Sequence, residues 1–321
     1  MTSAVVIPNW NGERWLEACL ESVAAQTTAP VRTVVVDNGS TDGSLALLAA
    51  RWPDVGVVAL GENTGFAGAA NRGFEAVPDA EAVALVNTDV VLAPEWLERM
   101  QAALAADPGS ASVACKLVDL DDPGRLYDTG DILRRDGVCE QRGRFCRDDG
   151  RWDAPGEVFA ACAAAALYRR DRVLAVGGFD ERFFLYLEDV DLGLRLRLAG
   201  WRCRYEPVAA RHAGEGSSDA LAPAPNAWVA RNTILLIAKA FPLRWAPWVA
   251  YRQTAWLYRS ARAGRLRTHL SGLARALPLL GAMLGERRRV RHSALVPVAD
   301  VVPARPIRGP RAGGHPREAG R

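Results

Sequence analysis

The stretch Ala82-Val83-Ala84-Leu85-Val86-Asn87-Thr88-Asp89 joins five consecutive apolar residues to three polar ones. A short apolar run that ends in polar residues is typical of a strand buried on both faces of a sheet. In sheets of that kind, ligands bind beyond the carboxyl ends of the strands. The stretch therefore predicts an α/β fold in which Asp89 lies at the binding edge.

Three more apolar segments precede this strand, and a segment with helical spacing follows each of them. The strands are predicted over 4–7, 33–36 and 55–59, and the helices over 12–25, 43–50 and 66–77. This alternation predicts a Rossmann-like, mostly parallel sheet with helices on both faces. Asn9, Asp37 and Asn63 come at or just after strand ends, so we expect them to share one edge with Asp89.

A second acidic segment, Glu188-Asp189-Val190-Asp191, follows a run that contains Phe183, Phe184 and Tyr186. The helix dipole favours acids in a first helical turn, which accounts for two of the three carboxylates. An apolar flank raises the pKa of a carboxylate, as a general base requires. We therefore predict that one of the three is a general base.

Asp89 and His212 are the candidate metal ligands. A carboxylate at the binding edge suits Mg²⁺ or Mn²⁺ that bridges to a diphosphate. The alternative for Asp89 is a residue that ends its strand and caps the next helix. A lone histidine is more often a packing or surface residue. For His212, the glycines that follow it, Gly214 and Gly216, predict a loop and so favour a place in a site.

Charge is divided unevenly along this chain of 321 residues. Residues 242–321 carry sixteen Arg and three acids, a formal charge of +13, so residues 1–241 carry −10. The aromatic residues of the basic part include Trp245, Trp248, Trp256 and Tyr258. Basic and aromatic residues together predict a polyanionic partner, with anionic phospholipid as the first choice and nucleic acid as the second. We expect docking on an anionic membrane surface and no nucleic acid as partner. The alternatives are a helical cap over the body or a homodimer interface.

Composition divides the chain into three parts: an α/β domain over 1–225, a helical, basic and aromatic region over 226–290, and a basic tail over 291–321. The tail is rich in Pro, Gly and Arg, which predicts disorder. Pro278 must kink or end the helix in which it falls. Residues 119–157 are rich in Asp, Arg and Gly and predict a long, partly ordered loop.

The six Cys form no C-x-x-C pair, and no signal peptide precedes the first strand, so we expect a reduced, cytosolic setting. No uninterrupted apolar stretch of about 18 residues occurs, so no membrane span is expected. The G-x-G-x-x-G and Walker patterns are absent, and neither a nicotinamide enzyme nor a P-loop ATPase is supported.

Six motifs follow one another within residues 1–240. They occupy residues 6–12, 37–44, 63–71, 87–90, 177–184 and 188–192. Together they resemble the family 2 glycosyltransferases of GT-A fold, in particular the rhamnosyltransferase-like branch that builds bacterial cell-surface glycans. The resemblance implies a GT-A domain over 1–225, to which the C-terminal helices are an extension.

The resemblance also implies a reaction. It implies an inverting enzyme that moves a single sugar, with a rhamnose-like deoxyhexose favoured, from a dTDP- or UDP-sugar to a glycan or polyprenyl-linked acceptor. It implies Mn²⁺ or Mg²⁺ as the cofactor. With the basic C-terminal region, we expect a peripheral position at the cytoplasmic face of the cell membrane.

Each matching position takes a role from the resemblance. Asp89 and His212 would hold the metal, Asp189 would be the base, and Glu188 would orient a sugar. The residues implied to contact the nucleotide-sugar are Pro8, Asn9, Asp37, Asn63, Gly65, Asn71, Asn87, Thr88 and Arg231. Cys-Ala-Ala at 162–164 stands where Ser-Gly-Ala is frequent, which leaves the donor's sugar open.

Three alternatives were weighed. A processive synthase would need membrane spans and a Q-x-x-R-W motif, which residues 197–201 do not match. A sugar-1-phosphate nucleotidyltransferase would need a Gly-rich loop with Arg and Lys after the first strand, which residues 9–13 lack. A catalytically inactive binding or scaffold subunit would not need Asp89, Asp189 and His212, all of which are present.

Overall fold

Within residues 1–214 and 225–304, the part of the chain that this computed structural model describes, there are twelve β-strands and eleven α-helices. The strands are β1 (Ser3–Asn9), β2 (Arg32–Asp37), β3 (Gly56–Ala59), β4 (Ala82–Val86), β5 (Val90–Leu92), β6 (Ser110–Asp119), β7 (Leu126–Asp128), β8 (Asp131–Leu133), β9 (Cys139–Gln141), β10 (Gly156–Val158), β11 (Ala165–Arg169) and β12 (Arg202–His212). The helices are α1 (Glu13–Ala24), α2 (Ser44–Arg51), α3 (Gly65–Ala76), α4 (Trp96–Ala106), α5 (Arg170–Ala175), α6 (Glu188–Leu198), α7 (Pro225–Ala240), α8 (Ala246–Arg262), α9 (Leu266–Ala276), α10 (Leu280–Ser293) and α11 (Val298–Val301).

One side of the main sheet is parallel, in the order β3-β2-β1-β4. The strand predicted over 82–86 is β4, and all five of its residues are buried. Their side chains alternate between two apolar clusters, one on each face of the sheet. β1 and β2 end side by side at Asn9 and Asp37. The predicted α/β class is confirmed, and Asn9 and Asp37 lie at one edge of the sheet as expected.

The other side of the sheet is mixed. β11 lies antiparallel between β4 and β6, while β12 runs parallel to β6 and antiparallel to β5 and β10. The last strand is long, because β12 pairs with β6 as far as Asp119. Its final residue, His212, pairs with Val90 of β5. The long strand therefore brings His212 beside Asp89.

Residues 119–157, predicted as a long, partly ordered loop, contain four short strands. β7 pairs with β6, β8 pairs with β9, and β10 pairs with β12. Trp152 is buried and packs with Val118 and Leu126 as a small separate cluster. The guanidinium of Arg142 is also buried and donates from Nε to the carbonyl oxygen of Thr129 at 2.9 Å. Packing of this kind orders a segment whose composition suggests a loop.

The C-terminal helices pack against α6. Leu194 and Leu198 of α6 share an apolar cluster with Leu235 of α7 and Met283 of α10. A 3-10 turn over Leu277–Leu279 separates α9 from α10, as the position of Pro278 predicts. No helix in the described ranges is long and apolar enough to cross a bilayer.

The tail over 291–321 was predicted to be disordered, but its first part is ordered. Within residues 291–304, α10 ends at Ser293 and α11 follows, and Val301 and Val302 are buried in the cluster with α6. Burial of one such side chain stabilises the fold by about 1.5–3 kcal/mol, which accounts for the order. Residues 305–321, the rest of the predicted tail, lie outside the described residues.

Candidate active site

A cavity of about 680 Å³ opens at the carboxyl ends of β1 and β4. Ten of the thirteen residues predicted for the site line it: Pro8, Asn9, Asn63, Gly65, Asn87, Thr88, Asp89, Glu188, Asp189 and His212. The other three, Asp37, Asn71 and Arg231, do not. The structure thus brings together residues from five separate parts of the sequence.

Asn9 and Asp37 are joined at the ends of their strands. Asn9 Nδ2 donates to Asp37 Oδ1 at 3.0 Å, and both side chains are buried. The amide oxygen of Asn9 has no hydrogen-bond partner among the described residues. Asp37 therefore sits behind Asn9, and it is Asn9 that faces the cavity.

Gly65 begins α3 at a point of close approach. Its φ is +78°, and a Cβ at this position would lie 2.5 Å from the carbonyl oxygen of Phe184. Only glycine avoids that overlap while adopting this backbone conformation. Asn63 precedes it and accepts from Gly65 N at 2.9 Å. The start of α3 is thereby fixed against the loop that precedes the acidic helix.

Asp89 and His212 face each other across the paired strands. His212 Nε2 lies 3.2 Å from Asp89 Oδ2, and both side chains are almost fully buried. The ring of Tyr127 packs edge-on against the His212 ring, with centroids 4.4 Å apart. Among the described residues no group of three or more metal-binding side chains occurs. The pair fits a divalent cation that takes its other ligands from substrate oxygens and water.

Asp189 is held at both carboxylate oxygens. Oδ2 accepts from Ala163 N at 3.1 Å and Oδ1 accepts from Val190 N at 2.8 Å. Burial raises the pKa of Asp189, and these two hydrogen bonds offset part of the rise. The carboxylate is therefore oriented, and its proton affinity is higher than that of an ordinary aspartate.

Glu188 lies next to Asp189 and is also buried. Burial, and then the charge of Asp189, raise the pKa of Glu188 well above its usual value. Its Oε2 has no hydrogen-bond partner within the described part of the chain. Glu188 lines the cavity, and a buried oxygen without a partner is unusual in a folded protein.

Two further buried acids, Asp128 and Asp131, were missed by the sequence analysis. Burial raises the pKa of Asp128 to about 7. Burial, and then the charges of Asp128 and Asp189, raise the pKa of Asp131 well above its usual value. Asp131 lines the cavity. The sequence 128–131, Asp-Thr-Gly-Asp, was the available signal, but it falls in the segment taken for a loop.

The loop over 183–187, here called the aromatic loop, is strained. Phe184, Tyr186 and Leu187 have φ values of +64°, +69° and +66°. Positive φ at residues other than glycine costs about 1–3 kcal/mol each and is found mostly at functional sites. Asn232 of α7 donates from Nδ2 to the carbonyl oxygens of Phe183 at 2.9 Å, Leu185 at 2.8 Å and Tyr186 at 2.6 Å. This amide holds the backbone that leads into α6.

Asn71 and Arg231 support the same part of the chain from other sides. Asn71 Nδ2 donates to Phe179 O at 2.9 Å, and its Oδ1 accepts from Phe179 N at 2.8 Å. Arg231 Nη2 donates to Arg182 O at 2.7 Å. Both were expected near the donor. Their hydrogen bonds to the backbone place them away from the cavity wall instead.

Known proteins resemble this chain in sequence. Residues 4–174 match the model of the family described as Glycosyl transferase family 2. The N-acetylglucosaminyl-diphospho-decaprenol L-rhamnosyltransferase of Mycobacterium tuberculosis is 32% identical over 216 residues, which cover 60% of this chain and 70% of that protein. The amylovoran biosynthesis glycosyltransferase AmsE of Erwinia amylovora is 28% identical over 202 residues, 61% of this chain and 70% of that protein.

Solved structures share the fold. The mannosyltransferase PcManGT from Pyrobaculum calidifontis in complex with GDP-Man and Mn²⁺ matches with a TM-score of 0.53 and 20% identity, over 91% of this chain and 85% of that one. GalNAc-T7 with UDP, GalNAc and Mn²⁺ matches with a TM-score of 0.59 and 14% identity, over 74% of this chain and 48% of that one. The chain therefore spans about half the length of GalNAc-T7.

These likenesses confirm the predicted family resemblance, fold and enzyme class. The family match covers more than half of the chain, and the structural neighbours are GT-A enzymes. This chain belongs to glycosyl transferase family 2, and it is a glycosyltransferase of GT-A fold with a C-terminal helical region.

Proposed function

We propose that this glycosyltransferase is inverting and metal-dependent, and that it moves a single sugar from a dTDP- or UDP-sugar to a glycan or polyprenyl-linked acceptor. A rhamnose-like deoxyhexose is the favoured sugar. One observation supports this best: Asp89, His212, Glu188 and Asp189 line a single cavity. The Mycobacterium relative is named a rhamnosyltransferase of a diphospho-decaprenol-linked sugar, which supports the choice of sugar and acceptor.

Asp89 and His212 are the proposed ligands of Mn²⁺ or Mg²⁺. Two protein ligands leave coordination positions for diphosphate oxygens and water. When bound there, the cation would supply Lewis-acid stabilisation of the departing diphosphate. Mn²⁺ in the structures of PcManGT and GalNAc-T7 supports a divalent metal.

Asp189 is the proposed base. Its raised pKa suits it to accept the proton of an acceptor hydroxyl, and the N–H groups of Ala163 and Val190 hold it in one orientation. A positioned base contributes roughly 10²–10⁴-fold to the rate. Inversion requires one base and no covalent nucleophile. Glu188, with its unpartnered Oε2, is proposed to orient a sugar hydroxyl.

The proposed donor contacts come from the ends of β1 and β4 and from the start of α3. Pro8 and Asn9 would contact the nucleoside, with Asp37 holding Asn9 from behind. Further lining residues proposed to contact the nucleotide-sugar are Asn63, Gly65, Asn87 and Thr88. Asn71 and Arg231 are proposed to act through the backbone that they hold, and not by direct contact.

The proposal is tested by nucleotide-sugar hydrolysis with Mn²⁺ in the wild type and in Asp189→Asn. Asp171→Asn, which removes an exposed carboxylate, is the matched control. We expect loss of turnover in Asp189→Asn alone. Equal rates in all three proteins would contradict the assignment of the base. The donor is identified by thermal stabilisation with Mn²⁺ and dTDP-, UDP- or GDP-sugars, since a ligand at a hundred times its Kd adds about 2.7 kcal/mol.

The same assays exclude or reveal a catalytically inactive member of the family. Such a protein would be stabilised by a nucleotide-sugar but would neither hydrolyse nor transfer it. A sugar-1-phosphate nucleotidyltransferase would instead release diphosphate from a nucleoside triphosphate, which a separate assay with that substrate would detect.

We also propose that α8 docks on the cytoplasmic, anionic membrane surface. Trp248 and Tyr251 are 53% and 76% exposed, and Arg259 and Arg262 are exposed on the same side of the helix. Polybasic contacts contribute about 1 kcal/mol per charge near anionic lipid. Trp245, which the sequence analysis grouped with these residues, is buried and cannot take part.

Liposome sedimentation tests this docking. The double variant Trp248→Ser, Tyr251→Ser should bind more weakly to vesicles that contain anionic phospholipid. Val31→Ser, at an exposed position distant from α8 in the sequence, should bind as the wild type does. Unchanged binding in the double variant would contradict docking through α8. A dimer in light scattering that the double variant abolishes would favour the homodimer interface instead.

A further inference from the structure

Arg144 lies on the wall of the cavity, between β9 and β10. Among the described residues that line the cavity, Arg144 is the only arginine or lysine. Its neighbours in this segment are paired: Arg147 with Asp122, and Arg151 with Asp149. Arg144 forms no ion pair with a carboxylate of residues 1–214 or 225–304. A guanidinium in this situation is available to an anionic ligand.

Two aromatic rings fix the position of Arg144. Its guanidinium carbon lies 4.6 Å from the centroid of Tyr127 and 4.8 Å from that of Phe145. Tyr127 in turn packs against His212. These contacts hold Arg144 on the same side of the cavity as Asp89 and His212, the proposed metal ligands. A guanidinium that stacks on aromatic rings keeps its in-plane N–H donors, which match phosphate oxygens in pairs.

Phe145 is an exposed aromatic residue in an unfavourable backbone conformation. It is 64% exposed, and its φ is +65°. The guanidinium of Arg125 also contacts its ring, at 5.0 Å. Strain of this kind persists mostly where a ligand or a switch requires it. Arg144 and Phe145 together present a cation and an apolar surface side by side.

We propose that Arg144 and Phe145 bind the acceptor through a diphosphate and the start of an attached hydrocarbon chain. This inference rests on the proposed function, in which Asp89 and His212 serve the donor diphosphate through the metal. A lipid-linked sugar diphosphate brings a second anionic group into the same cavity. Arg144 supplies its donors and Phe145 packs against the chain.

Isothermal titration tests the inference with two probes: farnesyl diphosphate for the acceptor, and dTDP with Mn²⁺ for the donor. The variants are Arg144→Gln and Arg147→Gln, the second a neighbouring arginine that does not line the cavity. We expect Arg144→Gln to raise the Kd of farnesyl diphosphate by about tenfold or more, and to leave the binding of dTDP unchanged. Arg147→Gln should bind both probes as the wild type does.

A third variant, Phe145→Asn, separates the apolar contact from the ionic one, because asparagine tolerates positive φ. This variant should bind farnesyl diphosphate more weakly than the wild type does, and it should bind inorganic diphosphate with unchanged affinity. Equal farnesyl diphosphate affinity in wild type and Arg144→Gln, or no binding by the wild type, would overturn the inference. Loss of dTDP binding in Arg144→Gln would assign this residue to the donor instead. Failure of the wild type to bind any nucleotide with Mn²⁺ would refute the proposed function itself.

Discussion

Lys239 places its Nζ 2.7 Å from Oδ1 of Asp191, a fully buried carboxylate two residues beyond Asp189. The same Nζ lies 2.7 Å from Oδ2 of Asp180. Although burial opposes it, the hydrogen bond from Arg182 and the charge of Lys239 hold the pKa of Asp180 well below its usual value. One cation on α7 thus joins the segment before the aromatic loop to the helix that carries the proposed base.

Replacement of Lys239 by Met should destabilise the protein. The change removes one of the two cations that contact each of Asp180 and Asp191, because Arg182 and Arg195 remain. A buried charge that loses its partner completely costs about 3–5 kcal/mol, and we expect a part of that loss here. Urea denaturation measures the loss. Arg259→Met, at an exposed position of α8, should have little effect. Adding Asp191→Asn to Lys239→Met should recover part of the stability, and no recovery would show that the Lys239–Asp191 contact contributes little.

Replacement of Asn232 by Asp should slow transfer more than it weakens donor binding. Asp has the same size as Asn but cannot donate to the three carbonyl oxygens of the aromatic loop, so the loop and Asp189 shift together. A misplacement of about 1 Å can cost about 10²-fold in rate. Steady-state kinetics should show a lower kcat with little change in the KM of the donor. A rise in KM alone would point to direct donor contact.

Replacement of His212 by Gln should raise the Mn²⁺ concentration that gives half-maximal activity by about tenfold or more. The imidazole supplies one of only two proposed protein ligands, and Gln cannot replace it well. Titration of Mn²⁺ in the hydrolysis assay measures the change. His292→Gln, at an exposed position in α10, is the control. An unchanged Mn²⁺ requirement in His212→Gln would remove His212 from the proposed metal site.

The unfolding free energy should fall as the pH rises from about 4 to about 7. Burial raises the pKa of Asp128 to about 7, so the folded protein keeps a proton that the unfolded chain releases near pH 4. This contribution is complete below the unfolded pKa and is lost as the pH rises through the folded one. Asp128→Asn should flatten the dependence, measured by urea denaturation across that range. Asp121→Asn, an exposed change, should preserve it.

The strands at the site were predictable because their sequences are continuously apolar. β4 is bounded as expected, and β1 and β2 end at the expected polar residues. Parallel strands with both faces covered leave the strand ends as the place for ligands. The strand ends alone thus predict three of the lining residues, Asn9, Asn63 and Asp89. The other seven were predicted from the acidic motif and the family resemblance.

Residues 119–157 could not be predicted in the same way. Their strands have three residues each after β6, and their order depends on partners distant in the chain, such as Val158 with Cys203. Asp131 lies in β8, which pairs with β9, and Arg144 follows β9. Both residues line the cavity as a result of how these short strands are placed. The hydrogen bonds of Asn232 were equally hidden, since they depend on backbone angles at 184–187 that no local pattern encodes.

The hydrogen bonds from α7 to the aromatic loop determine whether the C-terminal helices can be removed or exchanged as a separate module. A protein that ends at residue 225 would lack Asn232 and Lys239, and so would remove donors from carbonyl oxygens and carboxylates beside the proposed base. The C-terminal helices are therefore joined to the α/β body by more than apolar packing. Swapping them between related enzymes would also disturb the backbone at the proposed catalytic centre.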